Sequence, residues 1–403
     1  MQPNRNLQWI YAGRALRSFI TAFLTVIFPL YLAKVGYSAS RIGLVVALSG
    51  AITVLLVAAV GLFADLYGRR RAIIGLALFS AIGGAVMGFS HVFLWAVLAS
   101  GLGGVGRGGG AGSGGSWGPV FPAEQPLVAE SVPAPNRTAA FGRISFIGVL
   151  AGAAGSIVAG VPDWLHGAGW SWVSGYRLLF FVAAGLSLLM ALSALPIQEA
   201  PPQQAGQEAP PPIPLRTLMG RLGLTNALNG LGFGFLGPLL TYWFYRRFGV
   251  GPSEIGILYT AINLAAAFPY LWSSRLARRL GAVKTVTVTR GIGLGLMLMM
   301  VFMPSFWLAG GFYLLRMVFN SLGMPARQSF VMGVSESRYR SRVSAFSSLP
   351  SQVTSMITPA VGGAMMDTIL DTPVFGAVFF MSLNLVAYWW SFRNVEEPGQ
   401  RRA

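Results

Sequence analysis

The chain has 403 residues, of which 54% are hydrophobic and only 10% charged, and its net charge is +17. Water-soluble globules carry about 25% charged residues, so this composition excludes them and points to an all-α membrane protein solvated mostly by lipid. There is no cysteine, which excludes a disulfide framework and a thiolate metal site.

Windows of about 20 apolar residues, each matching a hydrocarbon core of roughly 30 Å at about 1.5 Å per residue, recur along the chain. In order they cover 11–35, 40–64, 71–90, 92–131, 139–162, 176–196, 219–245, 253–274, 284–303, 306–333, 341–366 and 372–392. With twelve crossings both chain ends lie on one face. Placing them inside puts Arg69, Arg70, Arg71, Arg143, Arg216, Arg221, Arg275, Lys284, Arg340 and Arg393 at the cytoplasmic surface, and leaves Lys34, Arg41, Arg177, Arg246 and Arg247 outside. That is the positive-inside pattern of a multi-pass protein in a cell's cytoplasmic membrane. The positive charge therefore reports topology and lipid contact, and no nucleic-acid partner is expected.

Between segments two and three stands Gly61-Leu-Phe-Ala-Asp65-Leu-Tyr-Gly68-Arg69-Arg70-Arg71. Segment four is the irregular one. At about 40 residues it would be about 60 Å long as a single helix, and Gly101 to Gly118 contains eleven glycines together with Arg107. Each glycine costs about 1 kcal/mol of helix propensity relative to alanine, and Pro119 and Pro122 remove further donors, so this segment must be broken or bent. Its glycines either allow close helix packing, or form a loop at the outer face, or open a discontinuous helix whose N–H groups and Arg107 face an anionic ligand.

The chain also repeats itself. Ser40-Arg-Ile-Gly43 returns as Ser253-Glu-Ile-Gly256, and Gly68 as Gly281, both at an offset of 213, which sets Asp65 opposite Arg278. Pro122-Ala-Glu-Gln125 returns as Pro325-Ala-Arg-Gln328 at an offset of 203, so the first half holds ten more residues, the difference of the two offsets. The halves are 1–196 and 216–403. They are joined by a Pro- and Gln-rich stretch, 197–215, that reads as a cytoplasmic linker.

A charge at the centre of a membrane helix costs about 2.5 to 3.5 kcal/mol on insertion scales, so each needs a partner, a water path or a function. Arg14, Arg17, Arg290 and Glu130 fall close enough to the cytoplasmic boundary to snorkel. Glu124 is the carboxylate placed well inside a segment. Either it loads and releases a coupling proton as its access alternates, or it locks segment four to a neighbour by an ion pair with Arg327 or another arginine. Arg107 and Arg316 are candidates for anion recognition. Asn226 and Asn229 share a helix face, and with Gln125, Tyr242, Asn263, Asn320, Arg327 and Gln352 they complete a list of candidate substrate contacts. No nucleotide-binding loop, metal cluster or nucleophilic triad is visible, so neither an enzyme nor a cofactor is expected.

The stretch around Gly61, Asp65, Gly68, Arg69 and Arg70 resembles motif A of the major facilitator superfamily, G-x-x-x-D-x-x-G-R-R-x, and the resemblance extends over the whole chain. It is closest in pattern to bacterial drug/proton antiporter-like members. It implies a fold of twelve helices in two pseudo-symmetric six-helix bundles that work by alternating access. It also implies that Asp65 pairs with nearby arginines at a cytoplasmic gate that breaks during transport. Arg107 resembles the arginine of motif B with its spacing disturbed, and segment five lacks the Gly-Pro step of the antiporter motif C. The expectation is a monomeric secondary transporter for proton-coupled efflux of a small, partly apolar compound. The alternative is a carrier of organic or inorganic anions built on the interior arginines, and a non-transporting sensor or scaffold on the same fold is a further rival.

Overall fold

The computed structural model describes residues 5–106, 118–132, 137–199, 214–333 and 340–395, and within these only the backbone of 5, 61–63, 65–67, 129–130, 137–139, 215, 271, 274, 278, 329, 332–333 and 340–348. The described residues contain helices and no strand. The first half holds α1 (Arg5–Lys34), α2 (Ala39–Tyr67), α3 (Arg69–Phe89), α4 (Phe93–Gly103), α5 (Phe121–Glu130), α6 (Arg137–Val158), α7 (Val161–Gly167) and α8 (Trp172–Ala194). The second holds α9 (Leu215–Leu236), α10 (Leu240–Phe248), α11 (Pro252–Leu280), α12 (Ala282–Val301), α13 (Phe306–Gly333), α14 (Arg340–Thr368) and α15 (Thr372–Phe392).

Each apolar segment of the sequence corresponds to one helix or a broken pair. Segment four divides as expected: α4 stops at Gly104, whose φ of 68° is left-handed, and α5 restarts with Pro122 in its first turn. Segment seven also divides, which its continuous apolar run conceals. A 3₁₀ turn at Gly237–Leu239 containing Pro238 separates α9 from α10, because proline cannot donate to the preceding turn. Segment five runs on into the short α7, which opens with Pro162. Among the described residues seven helices are long and apolar enough to cross a membrane on length and composition alone, against the twelve crossings expected. The remaining segments are broken, like α4 with α5, or carry interior prolines, as α11, α13 and α14 do.

Apolar residues cover the outside. Phe89 is 76% exposed and Trp390 74%, a state that lipid accommodates and water does not. Within the first half α3 packs on α8 and α1 on α6, and within the second α12 packs on α13 and α15 on α9. The halves meet along α2 against α14 and α6 against α11. On the face away from the chain ends a single core runs through both halves, including Phe28, Tyr31, Phe180, Trp243 and Tyr259. On the face that carries the chain ends, each half has its own cluster, one around Leu7, Ile73 and Leu127 and the other around Leu218, Phe330 and Phe392.

Candidate functional site

Arg14 and Arg17 lie three apart on α1 and so share a face, and that face turns inward. They are only 4% and 7% exposed, and between them sits Glu124 of α5, also 4% exposed. Arg14 Nε lies 3.1 Å from Glu124 Oε1, and Arg17 Nη2 donates to Glu124 Oε2. The expected snorkelling of these arginines is therefore corrected. Height along a helix leaves open which side a residue faces, and here it faces an acid inside the protein. Of the expected ion pair of Glu124 with Arg327 or another arginine, the structure has the other arginines, Arg14 and Arg17, and not Arg327. Equivalent positions of two repeats are carried into separate bundles, and each finds its partner in its own.

The cluster of two guanidiniums and one carboxylate carries a net charge of +1 in a water-poor interior. Each guanidinium presents five N–H donors in a fork that suits a carboxylate. A cavity of about 240 Å³ reaches it from the seam between the halves, lined by Arg14, Glu124, Gln125, Ile144 and Gln328. Gln125 and Gln328 are repeat equivalents, one from each half. A larger cavity, with about 730 Å³ of open space, begins at Arg17 and is lined by Leu24, Leu76, Leu102 and Met190 with the hydroxyls of Thr21 and Thr53.

The second half is built differently. Arg327, at the position equivalent to Glu124, donates to Asn226 Oδ1, and Asn226 is anchored by its Nδ2 on Leu222 O at 2.7 Å. Arg290 donates to Asn384 Oδ1 at 2.9 Å and to Asn229 Oδ1 at 3.4 Å, which corrects the expectation that it snorkels. Arg316 lies 5.4 Å over the ring of Tyr313 and 3.7 Å from the sulfurs of Met317 and Met381. Among the described side chains no acid forms a salt bridge with these three arginines.

The other candidates are more dispersed. Asn263 donates to Tyr259 O at 2.9 Å and, across the seam, to Ser156 Oγ at 3.3 Å. Tyr242 is buried in α10 with its ring 6.4 Å from that of Tyr245. Asn320 is half-buried on α13, and Gln352 is buried on α14. Arg107 lies outside the described residues, as do the side chains of Asp65, Arg278 and Glu130.

Gly61 lies in the last turns of α2, and Gly68 ends that helix with φ 97° and a bond from its N–H to Ala64 O of 3.0 Å. Arg69 and Arg70 begin α3, and the Arg70 N–H donates to Glu199 Oε1 at 2.7 Å. Glu199 was not singled out from the sequence, where it reads as part of the linker. Its signal is that it is the acid that directly follows the last apolar segment of the first half. Among the described residues no group of three or more His, Asp or Glu side chains gathers to hold a metal.

A family model described as Major Facilitator Superfamily matches residues 10–224 and again 222–403. Among solved structures, a bacterial homologue of the human lysosomal transporter Spinster, in an inward-facing and occupied conformation, aligns with a TM-score of 0.70 at 17% identity over 98% of this chain and 98% of that one. A mutant of the nucleoside transporter NupG aligns with a TM-score of 0.68 at 13% identity, over 96% and 100%. The human organic anion transporter MFSD10 (TETRAN) aligns with 0.65 at 16% identity, over 98% and 100%. No curated protein matches the sequence. At these identities the structural likeness establishes the fold alone.

Proposed function

The chain belongs to the major facilitator superfamily, and from that premise we propose that it is a secondary transporter of a small organic anion, bound at the Arg14–Glu124–Arg17 cluster. The observation that carries this reading is the cluster's composition: two buried guanidiniums share one carboxylate. Glu124 acts as a resident counter-charge. A substrate carboxylate, sulfonate or phosphate offers the same oxygen geometry, and arginine binds such groups through paired N–H donors. It therefore displaces Glu124 from at least one guanidinium.

Charge arithmetic links this exchange to protons. Protonated Glu124 raises the cluster from +1 to +2, and one bound monoanion returns it to +1, so proton and anion travel together. The bundles then part and close around the loaded site by alternating access. The chain ends face the cytoplasm in this reading, supported by the basic residues that begin α3 and end α15, and the protein acts in the cytoplasmic membrane.

A second reading, proton-coupled efflux of a partly apolar compound, draws on the 730 Å³ cavity beside Arg17 and its largely apolar lining. In that case Glu124 exchanges its proton for the substrate. Liposomes carrying the protein and a trapped pH dye separate the two. Addition of organic anions that acidifies the lumen in the parent and not in Arg17→Ala supports anion–proton symport. A response confined to neutral and cationic compounds, and lost in Glu124→Gln, supports efflux and rejects the anion reading.

A further inference from the structure

The repeated tetrad Ser-x-Ile-Gly takes no part in the charged site. Its two copies, at Ser40 and Ser253, open α2 and α11 on the face away from the chain ends. At each copy an aspartate arrives from the opposite half. Asp163 of α7 accepts from the Ser253 N–H at 2.7 Å. Asp367, near the end of α14, accepts from the Ser40 N–H at 3.1 Å and from its hydroxyl.

The arrangement is reciprocal. Asp163 and Asp367 stand 204 residues apart, within one of the offset of 203 that relates this part of the two halves. The tetrad glycines repeat the relation in backbone packing. A Cβ on Gly43 would lie 2.3 Å from Pro359 O, and one on Gly256 would lie 2.5 Å from Ser156 O, and these two receiving residues are themselves 203 apart. Each half thus presents a helix start and receives a carboxylate at the same place.

Each helix start also has a cap from its own half, on a different amide. Ser38 already caps α2 through the Arg41 N–H at 3.3 Å, and Glu254 caps α11 through the Gly251 N–H at 2.9 Å. What the aspartates add is a bond between bundles, placed where a carboxylate is favoured by the N-terminal end of the helix dipole.

We infer that Asp163 and Asp367 form a two-point latch that holds the gate on this face closed, and that both bonds must break for the substrate path to open there. A side-chain cap of this kind shifts a two-state equilibrium by about fivefold. Asp163 is half-buried and is assigned the full effect, whereas Asp367 is exposed and contributes about twofold.

The chain contains no cysteine, so spin labels can be placed without background. Val92→Cys in the first half and Phe302→Cys in the second put labels at positions 55% and 63% exposed on the gate face. Pulsed electron resonance in lipid nanodiscs, without substrate, reads the ratio of wide to narrow distances. Asp163→Ala is expected to raise it about fivefold, Asp367→Ala about twofold, and the double variant about tenfold. Asp163→Asn, which keeps an acceptor, shifts it in the same direction by less and guards against misfolding of the alanine variant. Unchanged distributions in the double variant overturn the latch. So does an equal shift from Glu254→Ala, which removes a cap on the same helix without touching the other bundle.

Discussion

The two halves of this transporter place opposite charges at the same point of their repeat. In the first half that position is Glu124, held by Arg14 and Arg17 of α1. In the second it is Arg327, held by the amide of Asn226 on α9. The carboxylate of an ionic clamp can be released by a proton, whereas a guanidinium on an amide has no titratable partner at ordinary pH. In the proposed mechanism proton exchange therefore belongs to the first bundle, and the arginines of the second are expected not to take part in it.

The largest effect expected from breaking this asymmetry is on stability. Glu124→Leu removes the carboxylate that two buried guanidiniums share, and thermal unfolding in detergent should show a loss of about 3 to 5 kcal/mol. Asn226→Ala leaves Arg327 short of a neutral acceptor, and the same measurement should show about 1 to 3 kcal/mol. Equal losses from the two would remove the distinction between the halves.

Close packing inside one bundle and between bundles should also respond differently. A Cβ on Gly230 would lie 2.1 Å from Ser351 O within the second bundle, so Gly230→Ala should lower stability by about 1 to 3 kcal/mol through overpacking. Gly43→Ala meets Pro359 across the seam, where the bundles can part. It should widen the spin-label distances at the gate face and cost less stability than Gly230→Ala.

The smallest difference lies at the two glycine turns. Gly68 is backed by Glu199, while among the described residues no side chain lies within 4 Å of where a Cβ on its copy Gly281 would stand. Glu199→Ala should cost only about 0.5 kcal/mol, the worth of an exposed acid at a helix start, and should speed hydrogen exchange at the Arg70 amide while leaving Gly281 unaffected.

Much of this architecture is legible in the residues because lipid imposes a simple rule: every crossing needs a long apolar run, and glycine and proline mark where a run fails. That rule located the twelve segments and the failure of segment four within Gly101 to Gly118, and the recurring tetrads gave the offsets of the repeat. It missed the break at Pro238, where the apolar run continues unbroken on both sides. The site was less legible. Glu124 was identifiable as an acid deep in a segment, but its partners required the direction in which α1 faces, and counting residues from a boundary fixes height without direction. The gate aspartates were hidden for a related reason. Each is bonded to the half it does not belong to, and only the offset of 204 marks them as a pair.

The central claim is that a substrate anion takes the place of Glu124 on Arg14 and Arg17. Its most direct test is uptake of a responsive organic anion into liposomes carrying the parent or Glu124→Gln, with and without an imposed proton gradient. The account predicts that the gradient drives uptake in the parent, and that Glu124→Gln still carries the anion but no longer responds to the gradient. Gradient-driven uptake that persists in Glu124→Gln would contradict it.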